Sequence, residues 1–325
     1  MTRIKDLQIN TMVEMPLVVI SAIARETKTK KPYLQLDLYD GYDNISGNYW
    51  DWTSGKIPMV NSILNVKAQV TEYMGNKQLN VKSLSINNEK HLSEFTPSSD
   101  INISDVYKDA YSLATDIKDD FIRGLTISLL EELNQLWLKV PGAKSVHHAF
   151  VGGTLVHSVS VAKIASAICS VIGSANKDLC IAGGLLHDLG KLWTYSMNGL
   201  SIDMTDEGLL FDHTYLGARF LNNFAERHIK TENDELKLEI LEHIVLSHHG
   251  VLEYGAPVQP ACIEAHIVHK ADGVDAAAQQ VLEASKKLDD VKWTERIYTL
   301  GNRPQLTTQY VDNILTKDID SDLPF

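Results

Sequence analysis

The spacing of apolar residues changes once along the chain, and this change limits the folds that the chain can adopt. Before about residue 90, β-branched and aromatic residues occur in short runs separated by turn signals, which is typical of strands. The runs are MPLVVISAIARET, KPYLQLDLYDG, NISGNYWDW and ILNVKAQVTEY, and YMGNKQLNV predicts a hairpin around Gly75-Asn76. From Ser104 onward, apolar residues recur three and four apart, as they do in amphipathic helices.

This pattern predicts a multidomain protein, β then α. Five or so short strands in residues 1–90 favour a small barrel, and the segment HLSEFTPSSDINI, residues 91–103, is interpreted as a linker because it mixes Pro, Ser and Asp without periodicity. An all-α domain is expected over residues 104–312, followed by an acidic tail, residues 313–325.

Composition is that of a soluble globular protein, with 325 residues, 44% hydrophobic and 22% charged. We expect every apolar stretch to fall short of the roughly 20 residues of a membrane helix, and the polar start MTRIKDLQIN lacks the apolar core of a signal peptide. These features predict a cytoplasmic location and no membrane partner. Cys169, Cys180 and Cys262 show no C-x-x-C spacing, so reduced, buried thiols are expected.

Charge is distributed unevenly along the chain. The formal net charge is −12, yet residues 1–95 carry 11 Lys and Arg against 10 Asp and Glu, so the acidity lies in the later part. If nucleic acid binds, the N-terminal part is the better platform, whereas bound cations could offset part of the later acidity.

The helical part contains several histidines and aspartates at helix interiors and ends. In GGLLHDLGKLW an apolar run leads into His187, Asp188 and Lys191. A lone His-Asp pair is commonly only a capped helix end, but further candidates occur at His157, His213, His248, His249 and Asp272. Imidazole with carboxylate is the ligand mixture that Mn²⁺, Fe²⁺, Co²⁺ or Zn²⁺ prefers, and a helical bundle can direct such side chains to one centre.

The order H…HD…H…HH…D identifies the chain as a member of the HD-domain metallo-phosphohydrolases. More narrowly, the segments HHAFVGGTLVHS, HDLGK, TDEG, DH, SHHG with EYGAPV, and EAHIVHKAD with Asp275 resemble the YhaM-type 3′→5′ exoribonucleases, which join an OB-fold to an HD domain. The strand pattern around Asp40-Gly41 similarly resembles an OB-fold barrel of five strands. Val156 and Ala256 depart from the family pattern, and neither is a ligand.

The resemblance implies two divalent ions, Mn²⁺ foremost with Fe²⁺, Co²⁺ and Mg²⁺ as alternatives, which share Asp188. One ion would take His157, His187 and Asp272, and the other His213, His248 and His249. A hydroxide between the ions would be the nucleophile, so Asp188 and Lys191 are the catalytic candidates. Lys191 could instead complement a helix C-terminus. His148, rather than His147, is expected to contact a substrate phosphate.

The barrel offers a route for a polymer to reach such a site. Aromatic rings could stack on bases and cations could follow the backbone, although half of the aromatics could equally be barrel core. Strand alternation predicts that Trp50 and Trp52 share one face and that Tyr49 takes the other. The candidates are Arg25, Lys28, Lys30, Lys31, Tyr33, Tyr39, Trp50 and Trp52.

Together these features predict a metal-dependent 3′→5′ exonuclease that converts single-stranded RNA, and also DNA, to nucleoside 5′-monophosphates. The first alternative is an HD-type phosphohydrolase of nucleotides or cyclic oligonucleotides, although the G-Y-P tripeptide of cyclic-di-GMP enzymes is missing after His249-Gly250. The second is a nucleic-acid-binding adaptor with a vestigial site, against which the complete ligand set argues.

The C-terminal segment DIDSDLPF resembles the C-terminal tip of bacterial single-stranded DNA-binding proteins. Proteins that bind that tip are therefore candidate partners. The terminal phenylalanine ring would fill an apolar pocket of the partner, and the aspartates would face a basic rim around the pocket. The alternative is a solvated, frayed tail. The residues concerned are Asp320, Asp322, Leu323, Pro324 and Phe325.

Overall fold

The computed structural model divides the chain into two compact units. One comprises residues 1–100 together with 197–201, and the other comprises residues 101–196 and 202–325. The structure describes residues 3–53, 55–96, 101–143, 148–198, 200–286, 288 and 291–316. We call the two parts the barrel unit and the helical unit.

The barrel unit is a closed five-stranded barrel in the order β1-β2-β3-β5-β4, in which β1 also pairs with β4. All pairs are antiparallel except β3 with β5. This architecture confirms the predicted OB-fold barrel followed by a helical HD domain. The strands are β1 (Met12–Glu26), β2 (Pro32–Tyr39), β3 (Asn44–Tyr49), β4 (Ile63–Tyr73) and β5 (Asn76–Ile86).

The barrel core follows from the two-residue period of the strands. In β2, Leu34, Leu36 and Leu38 are completely buried, and the alternate positions between them are more exposed. Strand β4 behaves in the same way, with Val66 and Val70 buried on the inner face. Apolar residues at every second position therefore close the barrel around a packed interior.

The β4–β5 hairpin turns on Met74 and Gly75, one position earlier than the sequence predicted, because Tyr73 pairs with Asn76. Both turn residues have positive φ, 52° at Met74 and 82° at Gly75, as a two-residue turn matched to the strand twist requires. Glycine adopts this conformation without strain, whereas methionine does not.

We expect Met74→Asn to stabilise the barrel by roughly 0.5–1 kcal/mol, because asparagine tolerates the left-handed region and Asn-Gly is the preferred pair for this turn. The Met74 side chain is 84% exposed, so its removal costs little packing. Urea denaturation followed by Trp fluorescence measures the change. A variant less stable than the wild type would show that Met74 makes a contact that offsets the backbone strain.

The helical unit consists mainly of α-helices. The chain between residues 194 and 206 is an exception, because it forms a short hairpin of β6 (Tyr195–Asn198) with β7 (Ser201–Met204), of which residues 197–201 belong to the barrel unit. The last helix extends to Thr316, beyond the predicted start of the tail at residue 313. The described helices are α1 (Ile103–Thr115), α2 (Asp120–Glu132), α3 (Asn134–Trp137), α4 (Gly153–Ile172), α5 (Lys177–Leu186), α6 (Lys191–Thr194), α7 (Asp206–Ala225), α8 (Glu232–Ser247), α9 (Ile263–Lys286) and α10 (Thr308–Thr316).

One core packs these helices together, with Trp137, Leu125 and Leu155 among its completely buried members. Among the described residues, α4 alone is long and apolar enough to cross a membrane by length and composition, so the expectation that every apolar stretch falls short is wrong for this helix. Half of its apolar window is buried inside the protein.

Candidate metal centre

The structure brings the seven predicted ligands into one cluster inside the helical unit. His157 lies in the second turn of α4, His187 and His248 are the C-caps of α5 and α8, and Asp272 lies on α9. Asp188 and His249 directly follow the two C-caps, and His213 lies within α7. The ends of two helices and three long helices therefore supply the whole set.

The ligand atoms form two main groups. In the first, His157, His187 and Asp272 each place a ligand atom within 4.8 Å of the others. In the second, the same limit holds for His213, His248 and His249. These groups have the composition that the family resemblance implied for the two ions.

Asp188 lies between the two groups and is only 1% exposed. Its Oδ2 atom is 3.4 Å from Nε2 of both His157 and His187. Its Oδ1 atom faces the other way, 3.5 Å from Nε2 of His213 and 3.6 Å from Nε2 of His248. One carboxylate therefore directs a different oxygen at each group.

The five imidazoles are oriented alike, because each engages an oxygen atom through Nδ1 and turns Nε2 toward the cluster. Such hydrogen bonds fix the tautomer in which Nε2 carries the lone pair that a metal needs. The acceptors are the backbone carbonyls of Gly184 for His187 (2.9 Å), Val245 for His248 (2.7 Å) and Tyr254 for His249 (2.8 Å), and the carboxylates of Asp275 for His157 (2.6 Å) and Asp212 for His213 (2.5 Å).

This orientation brings the Nε2 atoms of two pairs of imidazoles close to each other. Nε2 of His157 is 3.2 Å from Nε2 of His187, and Nε2 of His213 is 3.2 Å from Nε2 of His249. In neutral imidazoles with Nδ1 protonated, both members of each pair present lone pairs. Within the described residues, the buried Oδ1 of Asp188 also accepts no hydrogen bond, whereas Nζ of Lys191 lies 2.7 Å from Oδ2. Positive charge among these atoms resolves both features, and this nitrogen and oxygen set fits divalent transition metals.

The protonation states agree with metal binding. Burial lowers the pKa of His248 and of His249, which keeps both imidazoles neutral. Burial would raise the pKa of Asp188, but the nearby Lys191 ammonium acts together with His187 and His213 to hold this pKa well below its usual range. At His248, His249 and Asp188 the centre therefore combines neutral imidazoles with an ionised carboxylate.

His157 differs from the other ligands because carboxylates face both of its nitrogens. Burial opposes charge on this ring, but hydrogen bonds with Asp272 and Asp275 raise its pKa to about 9. Its Nε2 atom is 3.1 Å from Oδ1 of Asp272. Positive charge is therefore favoured at Nε2, and a proton or a metal ion can supply it.

Lys191 points into the cluster rather than toward solvent. Its Nζ atom is 2.7 Å from Oδ2 of Asp188, and its side chain is largely buried. It is the first residue of the four-residue helix α6 and lies four positions after His187, the C-cap of α5.

Sequence reasoning missed the roles of Asp275 and Asp212. A signal for each was present, because Asp275 lies three residues after Asp272 on the same helix and Asp212 directly precedes His213. His148 is 1% exposed and its Nε2 lies 2.9 Å from Oδ2 of Asp275, on the Nδ1 side of His157. Contact of His148 with a substrate phosphate stays a prediction that this position does not favour. His147 lies outside the described residues.

On the barrel unit, the rings of Tyr33, which is half-buried, and Trp50, which is exposed, form a pair with centroids 4.5 Å apart. Arg25 lies opposite Tyr33 in the β1–β2 ladder, and Lys31 is 3.6 Å from Asp51. The exposed lysines Lys28 and Lys30 occupy the connection between these strands.

The prediction that Trp50 and Trp52 share one strand face is wrong, because β3 ends at Tyr49 and both tryptophans follow it. Tyr49 and Trp52 instead line the same cavity and pack against the barrel core. Tyr39 is buried as well, so it belongs to the core rather than to an exposed stacking surface. The predicted partner-binding tail, including Asp320 and Phe325, lies outside the described residues.

Comparison with known proteins adds two similarities. The model of the HD domain family matches residues 154–277, a range that contains all seven candidate ligands. The 3'-5' exoribonuclease YhaM of Geobacillus sp. (strain WCH70) is 31% identical over 301 residues, which cover 91% of this chain and 92% of the relative. No solved structure matches the chain.

Proposed function

Because the chain belongs to the family of the 3'-5' exoribonuclease YhaM, we propose that it is a metal-dependent 3′→5′ exonuclease that releases nucleoside 5′-monophosphates from single-stranded RNA, and also from DNA. The observation that carries this proposal is the extent of the similarity, because 91% of the chain includes both the barrel unit and the metal centre. The cytoplasmic location expected from the sequence agrees with such a substrate.

The divided environment of Asp188 supports the use of two ions, most readily Mn²⁺. Its Oδ2 faces His157 and His187 and its Oδ1 faces His213 and His248, so the carboxylate could serve both ligand groups. When bound, a pair of divalent ions lowers the pKa of a water molecule and stabilises charge on the oxygens of an in-line displacement at phosphorus.

The side chains of the protein have separate tasks in this proposal. The imidazoles and Asp272 would hold the ions, and Asp188 would be a ligand common to both groups. Lys191, held against Asp188, is placed to offset negative charge on the phosphoryl oxygens of the substrate. The buried surroundings strengthen each of these charge interactions because little water screens them.

The ring pair of Tyr33 and Trp50 is the proposed site for single-stranded RNA on the barrel, together with Arg25, Lys30 and Lys31, which lie close to Tyr33 in the chain. Aromatic rings stack on bases of any sequence, and the cations attract the phosphate backbone. This composition suits an enzyme that must process many sequences. Trp52 is left out of the site because it packs against the barrel core.

We expect the double variant Tyr33→Ala/Trp50→Ala to bind a single-stranded RNA oligomer at least roughly 10-fold more weakly, since stacking contributes about 1–3 kcal/mol per base. Hydrolysis of a nitrophenyl phosphodiester should remain unchanged, because that substrate has no bases to stack. Fluorescence anisotropy measures the affinity. Tyr73→Ala, which removes another exposed aromatic of the same barrel, is the matched control. Equal RNA affinity of all three proteins would exclude this surface as the RNA site.

The proposed activity is tested by incubating the full-length protein and Mn²⁺ with 5′-labelled single-stranded RNA or DNA, and separately with a panel of nucleotides and cyclic oligonucleotides. Stepwise shortening of the label-bearing strand with release of 5′-monophosphates supports the exonuclease. Hydrolysis confined to the small molecules would favour the HD-type phosphohydrolase. Binding of RNA without hydrolysis of any substrate would favour the adaptor.

A further inference from the structure

Helix α9 contacts both nitrogens of His157. Asp272 faces Nε2 at 3.1 Å, and Asp275, three residues later, accepts a hydrogen bond from Nδ1 at 2.6 Å. The Asp275 residue is 5% exposed, and its Oδ2 atom lies within hydrogen-bond distance of a ring nitrogen of both His148 and His157. An ionised carboxylate can only accept, so both imidazoles donate to it.

His148 holds Asp275 in place. Its Nε2 donates to the same Oδ2 atom at 2.9 Å, and its backbone N–H donates to Glu283 at 3.2 Å. The backbone of His148 has φ 52°, a conformation that costs a non-glycine residue about 1 kcal/mol or more. The strained residue His148 thus holds the carboxylate of Asp275, which in turn contacts the candidate ligand His157.

The second ligand group contains a counterpart. Asp212 accepts a hydrogen bond from Nδ1 of His213 at 2.5 Å. Its backbone breaks the helical conformation of α7, with φ 62° and ψ 161°. Unlike Asp275, its side chain is 56% exposed. His187, His248 and His249 engage backbone carbonyls instead, so each group holds one imidazole with a carboxylate acceptor.

We propose that Asp275 and Asp212 are positioning residues, each of which sets the metal affinity of one ligand group through a single histidine. The inference rests on the two-ion centre proposed above, but not on the identity of the substrate. A carboxylate acceptor fixes the ring and makes Nε2 a stronger donor to the metal, and losing such a partner typically lowers metal affinity about 10–100-fold. Because the two carboxylates act on different groups, the affinities of the two ions are separately adjustable.

The test is titration of Mn²⁺ into the metal-free full-length protein, followed by calorimetry and by the EPR signal of free Mn²⁺. Asp275→Asn and Asp212→Asn each keep the shape of the side chain and remove its charge. We expect each variant to weaken one of the two binding events by about 10–100-fold and to leave the other within about 3-fold of the wild type. Asp109→Asn, a half-exposed carboxylate paired with Lys163, is the matched control.

Double variants assign each effect to its group. In a His157→Ala background, Asp275→Asn should cause no further loss of Mn²⁺ affinity, whereas Asp212→Asn should still weaken the remaining event. In a His213→Ala background, Asp212→Asn should cause no further loss of Mn²⁺ affinity, whereas Asp275→Asn should still weaken the remaining event. A merely structural role would lower affinity in both backgrounds alike.

Wild-type affinity for both ions in the folded Asn variants, or equal weakening of both binding events, would overturn the proposal. If Asp275→Asn does not fold, Asp212→Asn still distinguishes these outcomes, because it can be measured alone and in the His157→Ala and His213→Ala backgrounds. A protein that shows the expected Mn²⁺ pattern but does not hydrolyse RNA would retract the proposed substrate and keep the positioning residues. A wild type that binds no divalent ion would retract both.

Discussion

Replacing Asp188 with asparagine is expected to reduce hydrolysis of single-stranded RNA by at least about 1000-fold and to lower the amount of bound metal. The amide keeps the shape of the carboxylate but carries no charge, so neither oxygen position can serve as a shared anionic ligand. A loss of about 4 kcal/mol of transition-state stabilisation, within the range of metal-ion catalysis, corresponds to this factor. Single-turnover assays and elemental analysis measure the two effects.

Two controls separate this loss from damage to the fold. The variant leaves Lys191 buried without its counter-charge, which is destabilising. Circular dichroism therefore has to show a folded protein, and Lys191→Met alone reports how much activity the lysine contributes. The conservative surface change Asp109→Asn should have no effect. Near-normal turnover of a folded, metal-replete Asp188→Asn protein would exclude a bridging role for this carboxylate.

The second large effect is expected from Gly190→Ala. A Cβ atom at Gly190 would lie 1.9 Å from the carbonyl oxygen of His213 and 2.5 Å from the backbone nitrogen of Gly217. Both are backbone atoms of α7 and cannot rotate away, so α7 must move. We expect a cost of at least about 3 kcal/mol, at the upper end of overpacking effects. Because His213 moves with α7, Mn²⁺ binding should weaken as well.

Gly124→Ala is the matched control for this variant. Gly124 lies inside α2, and a Cβ atom there would have no neighbour within 4 Å. This change should stabilise the helix by up to about 1 kcal/mol, since alanine has the higher helix propensity. Urea denaturation followed by far-UV circular dichroism compares the two. Equal midpoints for both variants would show that the contact between Gly190 and α7 relaxes easily.

The parts of the fold that sequence could predict are those that local patterns determine. The alternation of Leu34, Leu36 and Leu38 identifies a strand with one buried face wherever it pairs. The end of a strand cannot be predicted in this way, because it depends on pairing with another strand. Strand β3 ends at Tyr49, opposite Leu34, where its ladder with β2 ends. The sequence around Trp50 still has strand composition, so alternation was extended too far.

The same division holds for the metal centre. The ligands were predictable as a set because their residue types and order resemble those of a known family. The orienting groups were harder to recognise, since Asp212 acts through a positive φ that no local signal demands, and Asp275 through a contact with His157 that is formed only in the tertiary fold. Only the contact between Asp275 and His157 depends on packing between helices that are distant in sequence, since Asp212 and His213 are adjacent in α7.

The scattering of the ligands along the chain also determines when metal can enter. Neither group is local, because the first combines α4, the end of α5 and α9, and the second combines α7 with the end of α8. An unfolded or partly synthesised chain therefore presents at most a neighbouring pair of donors, and no complete group exists before the helices have docked. Metal binding therefore cannot stabilise the chain before it has folded. Discrimination among competing ions would then fall to the folded protein, in which the arrangement of the donors, rather than the affinity order of separate imidazoles, would decide which ion is retained.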